Sequence, residues 1–266
     1  MNLTNGVTYL TLPSNSSLDF FPDNVISSYR TRLSKPLRFP NLNYEIGLSD
    51  VQYPNTWFNL NNGDGWMKIY FRKCTPITVP VSNFRKRTPI KAQVFDGYYG
   101  SSKVLVEQVN AAYNISTNDL HELMTLHPIT QKVKIFCPED SLVVFSPVLA
   151  SMLGLQTQTY EQGVHEGDQV VDIHRGFYSL YMYCDAIEPR IVGDTLAPLL
   201  KVLPIKGEHG DIISLTYPNI QFHPIKCTEI SDIEIDIRKD TGKSVAFQRG
   251  KVVATLAIRR KPLSVL

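Results

Sequence analysis

The chain has 266 residues, of which 43% are hydrophobic and 20% charged, and its formal net charge is +2. This balance is typical of a folded globular protein and excludes a disordered chain or a strongly basic polyanion-binding protein. A helix needs about 20 consecutive apolar residues to cross a bilayer, and no apolar run approaches that length, so we expect no membrane span. The first residues offer neither a basic start nor an apolar stretch, so we expect no signal peptide and synthesis inside a cell.

The first 74 residues predict β-strands, because polar and apolar residues alternate in three segments: Val7–Leu12, Ser28–Leu33 and Tyr44–Tyr53. In the third segment the alternation slips by one residue, which predicts a β-bulge near Ser49 or Asp50. Asn61–Gly65 contains residues that tolerate positive φ and predicts a tight turn. We expect Trp66–Phe71 to return from this turn as the partner strand of the third segment.

The middle of the chain predicts a mixed α and β module. Two prolines in Thr75–Pro80 indicate an edge or linker. Apolar residues at three- and four-residue spacing in Lys103–Tyr113 predict a helix that Ser101 or Ser102 can cap. Further along, the predicted elements are a hairpin of Lys132–Phe136 with Leu142–Phe145, and then a short helix over Ser146–Gly154 with Pro147 in its first turn.

The last hundred residues return to β-structure. Phe177–Asp185 and Pro198–Ile205 are nearly continuous apolar runs, typical of strands covered on both faces. Ile212–Tyr217 and Val252–Ile258 are further strands, and Ile233–Ile237 alternates apolar with acidic residues before a hairpin loop at Arg238–Lys243.

Eight or more strands split around a mixed module predict an all-β fold, a single jelly-roll β-sandwich with a small inserted α+β module. We expect residues 1–74 and 168–266 to form the sandwich and residues 75–167 the inserted helix-hairpin-helix module. In this arrangement the two termini meet in one sheet.

The sequence contains no pattern typical of a catalytic or metal-binding site. Four widely spaced cysteines, Cys74, Cys137, Cys184 and Cys227, fit free thiols better than a metal site or a disulfide framework. The histidine spacings match no zinc motif, and no phosphate-binding loop or Gly-x-Ser-x-Gly elbow occurs. We therefore expect no catalytic residue, no metal ligand, no cofactor and no enzymatic activity.

Asp240-Thr241-Gly242 spells the aspartic-protease triplet and is the strongest enzymatic signal. Such a protease needs two carboxylates that share a proton, so a half-size form must dimerise. The flanking strands explain the triplet equally as a hairpin turn, which we expect.

Two basic clusters and one aromatic pair are candidate interface or nucleic-acid contacts. The first cluster is Arg85, Lys86 and Arg87, and the second is Arg259, Arg260 and Lys261. Clustered cations can bind phosphate through counterion release, although solvated loop charge is the alternative. Tyr98 and Tyr99 are candidate contact residues because aromatic side chains concentrate binding energy at interfaces. Trp57 suits either an interface or the core.

Several motifs resemble one family of viral proteins. They include Thr8–Ser17, Tyr44–Leu48, Tyr53–Trp57, the Gly97–Leu155 module, Cys184–Pro204, and the stretch from Asp240 to Arg260. In this order they resemble the minor capsid (penton) proteins of Maverick/Polinton elements and of virophage-like and adintovirus-like viruses.

The resemblance implies a single jelly roll at the fivefold vertices of an icosahedral particle, with no catalytic residues. It implies a homo-oligomer, a pentamer, located in the virion capsid. The implied partners are a double-jelly-roll major capsid protein and, through the basic cluster at Arg259–Lys261, packaged DNA. A glycan- or receptor-binding β-sandwich is the alternative function, and an aspartic protease is the third.

Overall fold

The computed structural model describes residues 6–40, 42–71 and 88–262, and these residues fall into two compact units. The first unit contains residues up to Trp57 and from Phe177 onward, and the second contains Phe58–Gly176. Each has its own hydrophobic core, since the two buried clusters share no residue. We call the first unit the sandwich and the second the insert.

The sandwich consists of two antiparallel sheets and a separate two-stranded hairpin, β10 and β11. Its strands are β1 (Thr8–Pro13), β2 (Ser28–Arg38), β3 (Tyr44–Pro54), β9 (Ser179–Cys184), β10 (Arg190–Val192), β11 (Thr195–Ala197), β12 (Leu199–Pro204), β13 (Ile212–Thr216), β14 (Phe222–Pro224), β15 (Glu229–Arg238) and β16 (Val253–Arg260). The first sheet has the order β1-β16-β3-β13, with β14 also paired to β3. The second sheet has the order β12-β9-β15-β2.

The pairing identifies this unit as a jelly roll. Eight of its strands follow one another in the chain as β1, β2, β3, β9, β12, β13, β15 and β16. The first of these pairs with the last, the second with the second-last, and so on: β1 with β16, β2 with β15, β3 with β13, and β9 with β12. Successive pairs belong to alternate sheets, as when a long hairpin is rolled up into two Greek keys. The all-β jelly-roll prediction is therefore confirmed, as is the meeting of the first and last strands in one sheet.

Alternation of side chains gives the sandwich its core. On β15 the isoleucines Ile233, Ile235 and Ile237 are buried and face inward, while the acidic residues between them lie outside. The predicted bulge on β3 is confirmed: Thr255 of β16 lies opposite Asp50, and the next residue lies opposite Leu48, so Ser49 is extra.

Two strands of the second sheet, β12 and β9, are not covered on both faces as predicted. On β12, Val202 and Pro204 are exposed. β9 alternates between buried and half-buried residues, so it is covered fully on one face only. Its outward residues, Tyr181 and Tyr183, are aromatic, and this hides the alternation in the sequence because both faces contain apolar rings.

The insert is a five-stranded antiparallel sheet with two helices. Its elements are β4 (Trp66–Phe71), β5 (Ile90–Gln93), α1 (Ser102–Thr117), β6 (Met124–Leu126), β7 (Val133–Phe145), α2 (Pro147–Met152) and β8 (Thr159–Glu166). The sheet order is β5-β4-β7-β6, and β8 pairs with β7. Ser101 caps α1 by accepting a hydrogen bond from the Val104 amide, and Ser146 caps α2 from the Leu149 amide.

The predicted hairpin within the insert was wrong, because the two segments form one strand, β7. Its pairing with β8 places Cys137 opposite Gly163 and Leu142 opposite Glu161, so several residues of β7 bulge out against Gln162 alone. Pro138 and Asp140, the latter with φ of 53°, lie in this bulge. Turn-forming residues therefore bend a continuous strand instead of reversing the chain.

The boundaries of the insert also differ from the predicted residues 75–167. β4, which the sequence places in the sandwich as the partner of β3, pairs instead with β5 and β7 of the insert. The turn before it carries positive φ at Asn62 and Gly63 as expected, yet the chain has already left the sandwich at Trp57. Turn chemistry shows where the chain bends, but it does not specify the partner strand.

Candidate assembly surface

Three of the eight residues predicted as contacts, Arg85, Lys86 and Arg87, lie outside the described residues. Of the other five, Tyr98 and Tyr99 belong to the insert, and Arg259, Arg260 and Lys261 belong to the sandwich. Tyr99 is 6% exposed in the core of the insert, and its hydroxyl donates to the Phe95 carbonyl at 2.6 Å. It is therefore a core residue and was wrongly predicted as a contact. Tyr98 is half-buried, with its ring centroid 6.5 Å from that of His174.

The C-terminal basic cluster divides between two environments. The Arg259 guanidinium donates from Nε to Oε1 of Glu45 at 2.5 Å and lies 3.7 Å from the centroid of the Phe222 ring. This charge is already balanced inside the protein by an ion pair and a cation–π contact. Arg260 is exposed and Lys261 is half-buried, so these two remain the candidates for an anionic partner.

The Asp240-Thr241-Gly242 triplet forms a tight turn on the surface of the sandwich. The Lys239 amide donates to the Lys243 carbonyl at 2.8 Å, and the Gly242 amide donates to the Lys239 carbonyl at 3.0 Å. Gly242 has φ of 78°, and the Asp240 side chain is exposed and accepts from the Thr241 amide. The hairpin-turn interpretation is confirmed by these hydrogen bonds and by the antiparallel bridge between Arg238 and Ser244 on either side of the turn.

Thiols and metal-ligand residues are scattered through the described part of the chain, where no group of three or more potential ligands occurs. Cys137, Cys184 and Cys227 are free thiols, and Cys74 lies outside the described residues. Burial raises the pKa of both the Cys137 and the Cys184 thiols to about 12, so both stay protonated and behave as small apolar side chains. Among the described residues, no helix combines the length and apolarity needed to cross a bilayer.

Exposed apolar side chains instead mark the edges of the sandwich. On one side β1 and β2 lie together, joined by hydrogen bonds from the Tyr29 hydroxyl to the Leu12 carbonyl and between Ser16 and Thr31. We call this side, with the loop between the two strands, the β1–β2 flank. Its exposed apolar residues are Val7, Tyr9, Leu18, Phe20 and Val25.

Phe20 is the central feature of the β1–β2 flank. It is 61% exposed, and the Arg32 guanidinium lies 4.9 Å from the centroid of its ring. Arg32 also donates to Asp232 at 2.7 Å, so the acidic residue of β15 fixes the cation beneath the aromatic ring. An exposed aromatic ring on a fixed cation is preorganised to contact a partner at little entropic cost.

The backbone of β2 is closed to strand addition at this flank. The Asn24 side chain accepts from the Arg30 amide at 2.8 Å and donates to the Arg30 carbonyl at 2.9 Å, while Ser17 Oγ accepts from the Arg32 amide. Blocking an edge strand in this way prevents unspecific pairing between sheets. A partner that meets the edge of β2 at Arg30 and Arg32 therefore has to contact side chains.

The opposite edge of the sandwich has a different apolar set. There β12 and β13 are the outer strands of the two sheets, and Lys201 of β12 lies 4.8 Å from the Tyr217 ring centroid just after β13. On this β12–β13 flank, Ile212 is 74% exposed and Val202 is 40% exposed. The two flanks thus both expose apolar side chains but differ in sequence.

A third exposed apolar feature is the hairpin of β10 and β11, which forms a two-stranded sheet of its own. Ile191 and Leu196 are cross-strand partners in it, 79% and 69% exposed. This hairpin lies between the predicted strands Phe177–Asp185 and Pro198–Ile205, where no element was predicted. In the sequence, the hairpin is indicated by the Gly193-Asp194 pair between two short apolar segments, a pattern typical of a hairpin turn.

Comparisons with known proteins give only distant structural likenesses. No protein-family model and no curated protein matches the chain. Among solved structures, it is similar to one described as the mavirus penton protein, with a TM-score of 0.49 and 10% identity, covering 95% of this chain and 99% of that chain. It is also similar to a chain in a cryo-EM structure of the Sputnik virophage, with a TM-score of 0.47 and 9% identity, covering 98% of this chain and 99% of that chain. At TM-scores below 0.5, neither likeness by itself assigns a function to this chain.

Proposed function

We propose that this chain is a structural minor capsid protein, a penton, and that five copies assemble into a ring at the vertices of an icosahedral particle. The observation that carries the proposal is the jelly-roll strand order of the sandwich, a fold that serves viral capsids, lectins and cupins. The order of sequence motifs, which resembles penton proteins, favours the capsid role among these.

The two unlike flanks support ring formation. An interface that buries the same patch on both copies stops at a dimer. A contact between two different patches of neighbouring copies builds a ring when the rotation between copies closes, and an open filament when it does not. The β1–β2 flank presents Phe20, and the β12–β13 flank presents Ile212. We infer that the first flank of one copy contacts the second flank of the next.

Light scattering and negative-stain microscopy of the purified protein test this proposal. We expect five-lobed rings, with a mass that depends on concentration. Phe20→Asp and Ile212→Asp should each abolish the rings, because each places a charge in an apolar contact. Ile129→Asp is the matched control, since Ile129 is 86% exposed and belongs to the insert.

Mixing the two variants sharpens the test. Phe20→Asp retains an intact β12–β13 flank, and Ile212→Asp retains an intact β1–β2 flank. The mixture therefore has one intact interface and should form heterodimers that cannot close into rings. A strict monomer of the unmodified protein at high concentration, or no heterodimer in the mixture, would contradict the proposed contact.

Further partners belong to the same proposal. We propose that the assembled ring contacts a double-jelly-roll major capsid protein in the virion, and that Arg260 contacts packaged DNA. Binding of duplex DNA that weakens steeply with salt, and weakens further in the Arg260→Ala variant, would support the DNA contact. Unchanged binding in that variant would count against it.

A glycan-binding module is the second candidate because the outer face of the second sheet carries a pocket. The pocket has a volume of about 380 Å³ and is lined by Tyr183, Asp185, Asp236 and Arg238, among others. Aromatic and carboxylate side chains together can hold a sugar through its apolar face and its hydroxyls. A glycan array probed with the Tyr183→Ala variant as control separates this function from assembly, because a capsid ring does not require binding there.

A further inference from the structure

The insert contains an open groove between helix α1 and the edge strand β6. The groove has a volume of about 720 Å³, and Val106, Met124, Leu126 and Ile173 form its apolar lining. All of these residues belong to the insert, so the groove is complete within that unit. Its length along a strand and its apolar floor suit an extended peptide.

The backbone of β6 is partly available in this groove. β6 pairs with β7 on one side, with Met124 opposite Ile135 and Leu126 opposite Val133. On the other side the Asn110 side chain donates to the Met124 carbonyl at 2.8 Å and accepts from the Met124 amide at 2.9 Å. The Asn110 carboxamide thus occupies the place that a peptide group of an added strand would take.

The backbone amide and carbonyl of Leu126, two residues further along the strand, have the same orientation as those of Met124. Alternate residues of an edge strand direct their amide and carbonyl groups to the same side, so those of Leu126 point towards the groove. The structure describes no hydrogen bond from this edge at Leu126, whereas the next amide, that of His127, turns back to the Lys132 carbonyl. A strand that enters the groove can therefore pair with Leu126 directly beside Asn110.

The charges on the walls of the groove select the peptide. Glu107 and Glu122 line it with Lys103, whose Nζ lies 3.9 Å from Glu107, an exposed pair of little energetic weight. The groove is therefore acidic overall. Residues 261–266 of this chain, Lys-Pro-Leu-Ser-Val-Leu, follow β16 and combine a cation with an apolar segment. Four extended residues span about 13 Å, enough to cover the edge of β6.

We propose that the C-terminal segment of a second copy docks as an added strand in the groove between α1 and β6, with its apolar residues on the floor and Lys261 beside Glu107 and Glu122. The inference rests on the proposed function, because it requires that copies assemble. It adds a strand exchange between neighbours to the contact between the flanks of the sandwich.

Cysteine cross-linking in the full chain tests this docking. The variant Thr125→Cys/Val265→Cys should form disulfide-linked dimers and higher species on non-reducing gels. The matched control Glu139→Cys/Val265→Cys should not, since Glu139 is an exposed residue of the insert outside the groove. An excess of a synthetic peptide with the sequence of residues 261–266 should suppress the cross-link.

Two groove variants probe the mechanism. Leu126→Pro removes the outward amide while it leaves the pairing of β6 with β7 in place, since proline is tolerated where the amide faces away from the partner strand. Glu122→Lys reverses one charge of the groove, and Glu139→Lys is its control. We expect both groove variants, added to the Thr125→Cys/Val265→Cys background, to reduce the cross-linked fraction about tenfold, and the control to leave it unchanged.

The outcomes separate this inference from the proposed function. Equal cross-linking in the groove and control pairs, no cross-linking, or a disulfide within one chain only would overturn the docking by a second copy. The mass of the same samples by light scattering reports assembly independently. Rings without the cross-link leave the capsid proposal intact, whereas a monomer contradicts both.

Discussion

The rings of Trp57 and Phe177 lie edge to face, with centroids 5.4 Å apart and planes inclined by 69°. These are the last residue of the sandwich before the insert and the first residue after it. The Phe247 ring contacts the other side of Trp57, at 5.8 Å. The two ends of an excursion of more than a hundred residues thus meet in a buried aromatic cluster, which closes the sandwich independently of the insert.

Because the ends meet, we expect the sandwich to fold without the insert. Replacement of residues 58–176 by a short Gly-Ser linker should give a protein with β-type circular dichroism and cooperative thermal unfolding. Trp57 is then the only tryptophan, and its fluorescence should show the blue-shifted emission of a buried indole. A broad, non-cooperative transition or a solvent-exposed emission spectrum would show instead that the jelly roll depends on the insert.

Gly47 should not tolerate a side chain. A Cβ atom there would lie 2.4 Å from Ile220 Cγ2 and 2.6 Å from the Gln221 carbonyl oxygen, and the backbone atom cannot move easily. We expect Gly47→Ala to lower the free energy of unfolding by about 1–3 kcal/mol, as overpacking usually does. Gly97→Ala is the control, since nothing lies within 4 Å of its Cβ position. Chemical denaturation of both variants measures the difference.

Glu45 and Arg259 should be energetically coupled. The pair is half-buried, and the guanidinium also lies over the Phe222 ring. A double-mutant cycle with Glu45→Ala and Arg259→Ala, measured by urea denaturation, should give a coupling free energy of about 1 kcal/mol. The same cycle on the exposed pair Arg38 and Glu229 should give a smaller value, because solvent screens that contact. Equal coupling free energies for the two pairs would contradict the conclusion that the Arg259 charge is balanced within the protein.

The stability of the sandwich should fall in mild acid because of His223. Burial is the main reason that the pKa of this imidazole is lowered, and the positive charges of Arg190 and Lys201 lower it further. The hydrogen bond with the Leu200 carbonyl at 3.2 Å and the negative charge of Glu45 raise it, but by less. Below a pH of about 6.5 the unfolded chain binds a proton that the folded protein excludes, so the free energy of unfolding decreases as the pH falls.

Urea denaturation between pH 5 and pH 8 measures this effect. His223→Gln should flatten the loss of stability on the acidic side, although His209, whose pKa burial also lowers, retains part of it. His121 works in the opposite sense, because its hydrogen bond to Asp119 raises its pKa and stabilises the protonated form. His121→Gln should therefore steepen the loss in acid, and a flatter profile in that variant would contradict the assignment.

Asp240→Asn should leave the protein unchanged. The side chain is exposed in a turn, and asparagine can accept from the Thr241 amide as aspartate does. We expect equal melting temperatures and equal ring assembly for the two proteins. Loss of any peptidase activity on this substitution would revive the protease hypothesis.

Local chemistry explains what could be predicted. The phase slip around Ser49, the Ser101 cap of α1, Pro147 and the turn at Asp240–Gly242 depend on residues a few positions apart, so the sequence displays them directly. Tyr99 and Arg259 were harder to interpret. A tyrosine in a buried loop and one on a contact surface have the same neighbours in sequence, and the partner of Arg259 is more than two hundred residues away.

The sequence by itself determined that this protein is a β-sandwich with a mixed module in its middle, because alternation, caps and turn residues act within one strand or one helix. Only the tertiary structure decided that β4 belongs to the insert and that β7 is one continuous strand. Strand pairing depends on which distant surfaces bury each other best, and neighbouring residues in the chain carry little information about that choice.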